Sequence, residues 1–288
     1  MKGETQGNVQ LSSRLGKARK RETVAVIGAG VIGGAIAKSL LSAKGRRVLA
    51  TRRIVKNASE LEALGAEVTS DNRRAAREAD IVFLCVKPAD ASKVLKEMSR
   101  ELAGKLVIST AATVPLDFYA KLVPGARFVR AMPNVAVLVG ESFTGYCCGE
   151  GVTAQDRKLV HGLFQEFGIC AEVEERHMDA ITALSGSGPG YLSIIIEGLM
   201  YAGLRVGLPR DLALMSSAQT VLGTGKLVLE LKENPAKVKD MVTTPGGTTI
   251  EAIYELEGSQ IRQALMRAVM EATEKSQAIR EKLGIPPG

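Results

Sequence analysis

The chain has 288 residues, 45% hydrophobic and 24% charged, an ordinary globular composition with room for one large or two medium domains. It holds no Trp and only 4% aromatic residues, which argues against a base-stacking nucleic-acid surface. The net charge of +7 is uneven: residues 1–21 carry six basic side chains (Lys2, Arg14, Lys17, Arg19, Lys20, Arg21) against Glu4, so +5 sits in that arm and +2 in everything after it.

The arm, 1–21, reads as a solvated and disordered tail rather than a nucleic-acid or membrane contact. It lacks the apolar run of a secretory signal. Thr23 to Ile27 is β-branched and strand-like, and "GAGVIG" follows it before an Ala-rich helix to about Ala43. "RRVLAT" (46–51), "ADIVFLCVKP" (79–88), "KLVISTAA" (105–112) and "RFVRAMPN" (127–134) repeat the strand pattern, with helical stretches such as 89–100 between them. Strands apolar on both faces that alternate with helices mean a parallel sheet covered on two sides. "SFTGYCC" (142–148) and "ICAEVE" (169–174) read as closing strands around a helix over 154–167.

From Glu175 onward the strand signal stops. Helices are expected at 180–184, 189–205, 210–231, 248–257 and 259–283. The reading is therefore α/β: a Rossmann-type dinucleotide-binding domain over 22–175, followed by an all-α dimerisation domain over 176–288. The helix around "YLSIIIEGLMYAGLRVG" is apolar on most of its circumference, which predicts burial on several sides in an intertwined homodimer.

In "GAGVIG", Gly28 makes the tight turn, Gly30 lets the backbone approach a pyrophosphate, and Gly33 allows close helix–strand packing, with Val31 and Ile32 opening the helix. The alternative is a tightly packed strand–helix corner without a ligand. No acidic residue occurs between Gly28 and Glu60, where an NAD site places one. The second strand ends instead in Thr51, Arg52 and Arg53, which points to NADP with a guanidinium on the 2′-phosphate, NADH remaining possible. Val86, Lys87 and Pro88 lie at the carboxyl edge of a later strand, where Lys87 either faces the cofactor or is solvated. Asn134, at a similar edge, either hydrogen-bonds the nicotinamide ribose or caps a turn.

Four cysteines (Cys85, Cys147, Cys148, Cys170) form no C-x-x-C pair, and with two histidines a zinc site is poorly supplied. Cys85 and Cys170 are expected to be buried thiols. The apolar runs at 24–37 and 191–204 are interrupted by glycines or Glu197 and do not read as membrane spans. The expectation is a cytoplasmic protein acting on a small molecule, with no nucleic-acid or membrane partner.

"VTTPGGTTIEAIYELE" (242–257) places Thr243, Thr244, Thr248 and Thr249 around Pro-Gly-Gly at a helix start, with Gly246 and Gly247 free to turn and no charged side chain between Thr243 and Ile250. Such a loop binds an anion with hydroxyls and backbone N–H groups, or is simply a capped turn. Together with "VRAMPN" (129–134) and "LSGSGPGYLSIIIEGLMYAGLRVGLPRDLA" (184–213), the stretch "VKDMVTTPGGTTIEAIYELE" (238–257) resembles the pyrroline-5-carboxylate reductase family, and the resemblance runs from about Glu22 to the C-terminus.

The resemblance implies reduction of L-1-pyrroline-5-carboxylate to L-proline with NAD(P)H, the last step of proline biosynthesis, in dimers assembled into decamers. It implies that Thr249 acts beside the imine nitrogen, while Thr244 and the N–H groups of Gly247 and Thr248 hold the carboxylate. Two positions depart from the family pattern: Thr113 stands where Gly is frequent, and Gly190 where Ala is usual. The alternatives are an NADP-dependent β-hydroxyacid dehydrogenase and a non-catalytic NADP(H) sensor. The first needs a proton donor for an alkoxide, and no lysine lies between Lys158 and Lys226. The second has no use for the threonine loop.

Overall fold

The computed structural model describes residues 22–43 and 45–282; the basic arm lies outside them. Strands β1 (Glu22–Ile27), β2 (Arg46–Thr51), β3 (Glu67–Thr69), β4 (Ile81–Leu84), β5 (Leu106–Ser109), β6 (Arg127–Met132), β7 (Ser142–Cys148) and β8 (Gly168–Glu172) form one sheet. Its order is β3-β2-β1-β4-β5-β6-β7-β8. All neighbours are parallel except β6 and β7, which are antiparallel because only the short turn 135–139 separates them. Helices α1 (Val31–Ser42), α2 (Ser59–Ala63), α3 (Asn72–Glu78), α4 (Pro88–Glu97), α5 (Ser99–Leu102), α6 (Leu116–Leu122) and α7 (Ala154–Gln165) lie between strands.

Side chains alternate across each strand and so build two cores. Val24, Val26, Val48, Phe83, Ile108 and Val129 face α1 and α7. Ala25, Ile27, Leu49, Val82, Leu84 and Val107 face α3, α4 and α6. The strand order reverses between β1 and β4, so the carboxyl ends of these two strands flank the crevice in which open α/β sheets bind ligands. The strands at 79–88 and 105–112 end earlier than their apolar runs. Pro88 opens α4 at its first turn, and the chain leaves β5 after Ser109.

After β8 the described chain is helical: α8 (Met178–Ile181), a π-turn (Thr182–Gly186), α9 (Gly188–Arg205), α10 (Arg210–Leu231), α11 (Ala236–Val242), α12 (Thr248–Gly258) and α13 (Ile261–Lys282). Helices α9 and α10 pair with each other, and α13 returns to pack on α8 and the π-turn. Within one chain these helices are largely uncovered. Of α9 only Met200 is buried, of α10 only Ala213 and Ser217, and of α11 and α12 no residue. Ile194, Met215 and Tyr254 are 70%, 64% and 75% exposed. A patch of this size on a folded chain marks an interface. By length and composition α10 could also cross a membrane, a property the sequence reading attached to no segment.

A buried ionic network ties the two halves together. Arg130, on β6 and 2% exposed, donates to Glu175 Oε1 at 3.1 Å and lies 3.7 Å from Asp179 Oδ1. Asp179 also accepts from Ser276 Oγ and Arg280 Nη1 of α13, both at 2.8 Å.

Candidate active site

The glycine turn between β1 and α1 has the geometry its sequence requires. Gly28 sits at φ +93°, and a Cβ there would meet the Cys85 carbonyl oxygen and Val86 Cγ1 at 2.9 Å. A Cβ on Gly33 would lie 2.3 Å from the Gly28 carbonyl oxygen and 2.9 Å from Cys85 Cβ. These two glycines are needed by packing alone. Gly30 differs: among the described residues nothing lies within 4 Å of where its Cβ would be. That residue is exposed and opens α1, whose first turn carries no acidic side chain and no side-chain cap. The free N–H groups and open approach fit a pyrophosphate. Val31 is exposed and Ile32 partly buried.

Thr51, unremarked as a site residue in the sequence, fixes this turn. Its hydroxyl accepts from Gly28 N–H at 3.1 Å and its carbonyl from Ala29 N–H at 2.7 Å. The two arginines that follow are differently placed. Arg52 donates from Nη1 to the Asn57 carbonyl at 2.5 Å, whereas the Arg53 side chain is 91% exposed with Asp90 Oδ2 3.8 Å away. Arg53 is thus the freer cation at the β2 edge. Val86 abuts Gly28, Lys87 is exposed, and Pro88 is partly buried at the start of α4.

Asn134 acts as a structural tie. Its Oδ1 accepts from Ala136 N–H at 3.0 Å, and its Nδ2 donates to the carbonyl and hydroxyl oxygens of Ser185 at 3.2 Å each. Of the two roles open to it, turn capping is the one the structure displays. Ser185 belongs to the π-turn, a feature with no local sequence signal. Such turns recur at functional sites, and this one links the sheet edge to α9.

Cys85 lies beside the glycine turn, but burial pushes its thiol up to about 12, so it carries no thiolate at neutral pH. By exposure Cys85 and Cys170, the latter on the edge strand β8, are both only partly buried, short of the fully buried positions expected for them. Thr113, past the end of β5, adopts φ +69° and is 4% exposed, with a buried hydroxyl that has no partner. A β-branched residue in this region is strained by about 1–2 kcal/mol, and an unpaired buried hydroxyl adds about 1–3 kcal/mol. Gly190, the second departure from the family pattern, has open space around its Cβ position, so Ala would fit.

The threonine loop forms the start of α12. Gly246 sits at φ +67°, and a Cβ on Gly247 would fall 2.4 Å from Thr244 Oγ1, so Gly247 lets that hydroxyl lie against the helix start. The Thr243 hydroxyl donates to the Lys239 carbonyl at 2.7 Å. The Gly247 N–H, expected to face a carboxylate, donates to the Thr244 carbonyl at 3.0 Å. The hydroxyls of Thr244, Thr248 and Thr249 have no partner among the described residues. Thr244, Gly246 and Thr248 are exposed; Gly247 and Thr249 are half-buried. Helix α12 rests chiefly on α13 rather than on the sheet.

A sheet with an open, acid-free nucleotide turn, joined to helices whose apolar faces are bare, has the build of a dinucleotide-dependent oxidoreductase that assembles as a homo-oligomer. A family model described as pyrroline-5-carboxylate reductase dimerisation matches residues 175–279, α10 included, and one described as NADP oxidoreductase, coenzyme F420-dependent, matches 23–113. The pyrroline-5-carboxylate reductase of Methanosarcina acetivorans is 44% identical over 221 residues, 76% of this chain and 82% of the relative. That of Arabidopsis thaliana is 36% identical over 261 residues, 89% of this chain and 95% of the relative. Among solved structures, the Plasmodium falciparum pyrroline carboxylate reductase with NADP bound superposes with a TM-score of 0.81 at 32% identity, covering 91% of this chain and 98% of that one. The Coxiella burnetii enzyme gives 0.83 at 32% identity, covering 90% and 98%. The chain belongs to the pyrroline-5-carboxylate reductase family.

Proposed function

We propose that the chain reduces L-1-pyrroline-5-carboxylate to L-proline with NADPH, at a site built from the glycine turn of one subunit and the threonine loop of its partner. The observation that carries the shared site is the bareness of the helical half within one chain. The loop presents unpartnered hydroxyls on an uncovered helical surface, and α12 rests chiefly on α13 rather than on the sheet. A second copy that covers α9 and α10 brings such a loop to the crevice. Proline biosynthesis, a cytoplasmic location and assembly of dimers into decamers belong to this reading.

Gly28, Gly30, Val31, Ile32 and Gly33 would hold the pyrophosphate, with Arg53 as the nearer candidate for the 2′-phosphate and Arg52 beside it. Val86, Lys87 and Pro88 line the nicotinamide half of the same edge, and Asn134 shapes it through Ser185. NADPH supplies the hydride when bound. The chain's own residues bind and orient a ring acid. The α12 N–H groups, beginning at Thr248, and the Thr244 hydroxyl would receive its carboxylate, an arrangement suited to a helix start. The Thr249 hydroxyl would hydrogen-bond the imine nitrogen, donating to it while it is neutral and accepting from its N–H once it is protonated, and so fix the ring at near-attack distance. No strong general acid is needed, because the imine nitrogen takes a proton from water before reduction. NADPH oxidation that depends on added pyrroline-5-carboxylate is the expected assay result. Tight NADPH binding without such turnover would instead support a nucleotide sensor.

A further inference from the structure

Thr113, four residues past the end of β5, carries two unfavourable features at once. Its φ of +69° is a conformation for glycine, and its Oγ1 is sealed from solvent without a hydrogen bond. Thr110, three residues earlier, anchors the segment: its N–H and its hydroxyl both donate to the Leu84 carbonyl, at 3.0 and 3.5 Å. The next residue, Cys85, is the one against which Gly28 and Gly33 pack. Segment 110–115 is thereby tied to the end of β4 beside the glycine turn. It lies at the carboxyl edge of β5, on the side of the β1–β4 reversal away from Arg52 and Arg53. With the 2′-phosphate at the β2 edge, the nicotinamide falls on the β4–β5 side.

We propose that Thr113 is a positioning residue for the nicotinamide end of the cofactor: segment 110–115 is strained in the free chain, and cofactor binding relaxes it and gives the Thr113 hydroxyl a partner. The proposal rests on the NADPH reading above. Its content is thermodynamic. A ligand shifts a segment only by binding one of its arrangements better than the other. A strain present equally with and without cofactor leaves affinity unchanged. A strain released on binding weakens affinity when it is removed beforehand and its hydroxyl is lost.

The test compares wild type with Thr113→Gly, Thr113→Ala and Thr113→Ser. Each is measured for its NADPH dissociation constant, its melting temperature with and without NADPH, and its KM values for both substrates. Thr113→Gly is expected to melt above wild type when free, to gain less from NADPH, and to bind NADPH about five- to thirtyfold more weakly. KM for NADPH follows, while KM for pyrroline-5-carboxylate does not. Thr113→Ala shares the weaker binding, and Thr113→Ser, which keeps the hydroxyl, binds NADPH like wild type. Wild-type affinity in Thr113→Gly, or a Ser variant as weak as the Gly variant, overturns the assignment while leaving the cofactor reading intact. A wild type that binds no NADPH overturns both.

Discussion

At the scale of single residues, two neighbouring arginines are held differently by the same strand end. The Arg52 guanidinium is occupied by the Asn57 carbonyl, whereas Arg53 extends into solvent and is only loosely drawn toward Asp90. A phosphate arriving at this edge meets Arg53 without breaking a hydrogen bond and meets Arg52 only by displacing one. Arg53→Ala is therefore expected to weaken NADPH by about 1–3 kcal/mol, the range of a hydrogen bond to a charged group, and to leave NADH almost unchanged. Arg52→Ala should have the smaller effect on NADPH. Titration of both variants with both cofactors decides it, and equal losses for NADPH and NADH would remove the 2′-phosphate assignment.

At the scale of elements, the junction between sheet and helices depends on charge buried in a dry place. Asp179 of α8 accepts from α13 through Ser276 and Arg280 and sits beside Arg130 of β6. Asp179→Ala leaves two guanidinium groups without their common anion. A loss of about 3–5 kcal/mol in unfolding free energy is expected, measured by denaturant at fixed protein concentration, since dimerisation couples to stability. A change near zero would mean that α13 is held by apolar packing alone. This network was poorly legible in the sequence, although an Arg inside the apolar run "RFVRAMP" is a signal that a partner waits nearby. The long periodic elements were legible: β1, α1, β2, α9 and α10 follow from strand runs, the glycine turn and helical apolar patterns. The short ones were not. Strand β3 has three residues, α11 has seven, and the π-turn depends on Asn134 and Tyr191 reaching in from elsewhere to bond Ser185 and the Ala183 carbonyl. Local pattern cannot foresee contacts made across 51 positions of chain.

At the scale of the whole molecule, one chain leaves the apolar faces of α9 and α10 uncovered. The glycine turn and the threonine loop were both visible as motifs, but their relation was not, because on the proposed reading a second copy of the same sequence joins them. If the site is shared, two different defects in two subunits can complement each other. Gly30→Glu is a suitable first defect: the Cβ position is open, so the fold tolerates a side chain, and the carboxylate occupies and repels the pyrophosphate position. Thr249→Val is a suitable second, because it removes a hydroxyl with no partner among the described residues and is expected to lower kcat/KM by about 1–3 kcal/mol. Each variant alone has two defective sites per dimer. A mixed dimer has one doubly defective site and one that combines an intact glycine turn with an intact loop. Co-expression with separable tags, followed by purification of the mixed species, should therefore recover close to half of the wild-type NADPH oxidation per dimer. If each loop served its own chain, both sites of the mixed dimer would carry a single defect, and activity would stay at the mean of the two parent variants.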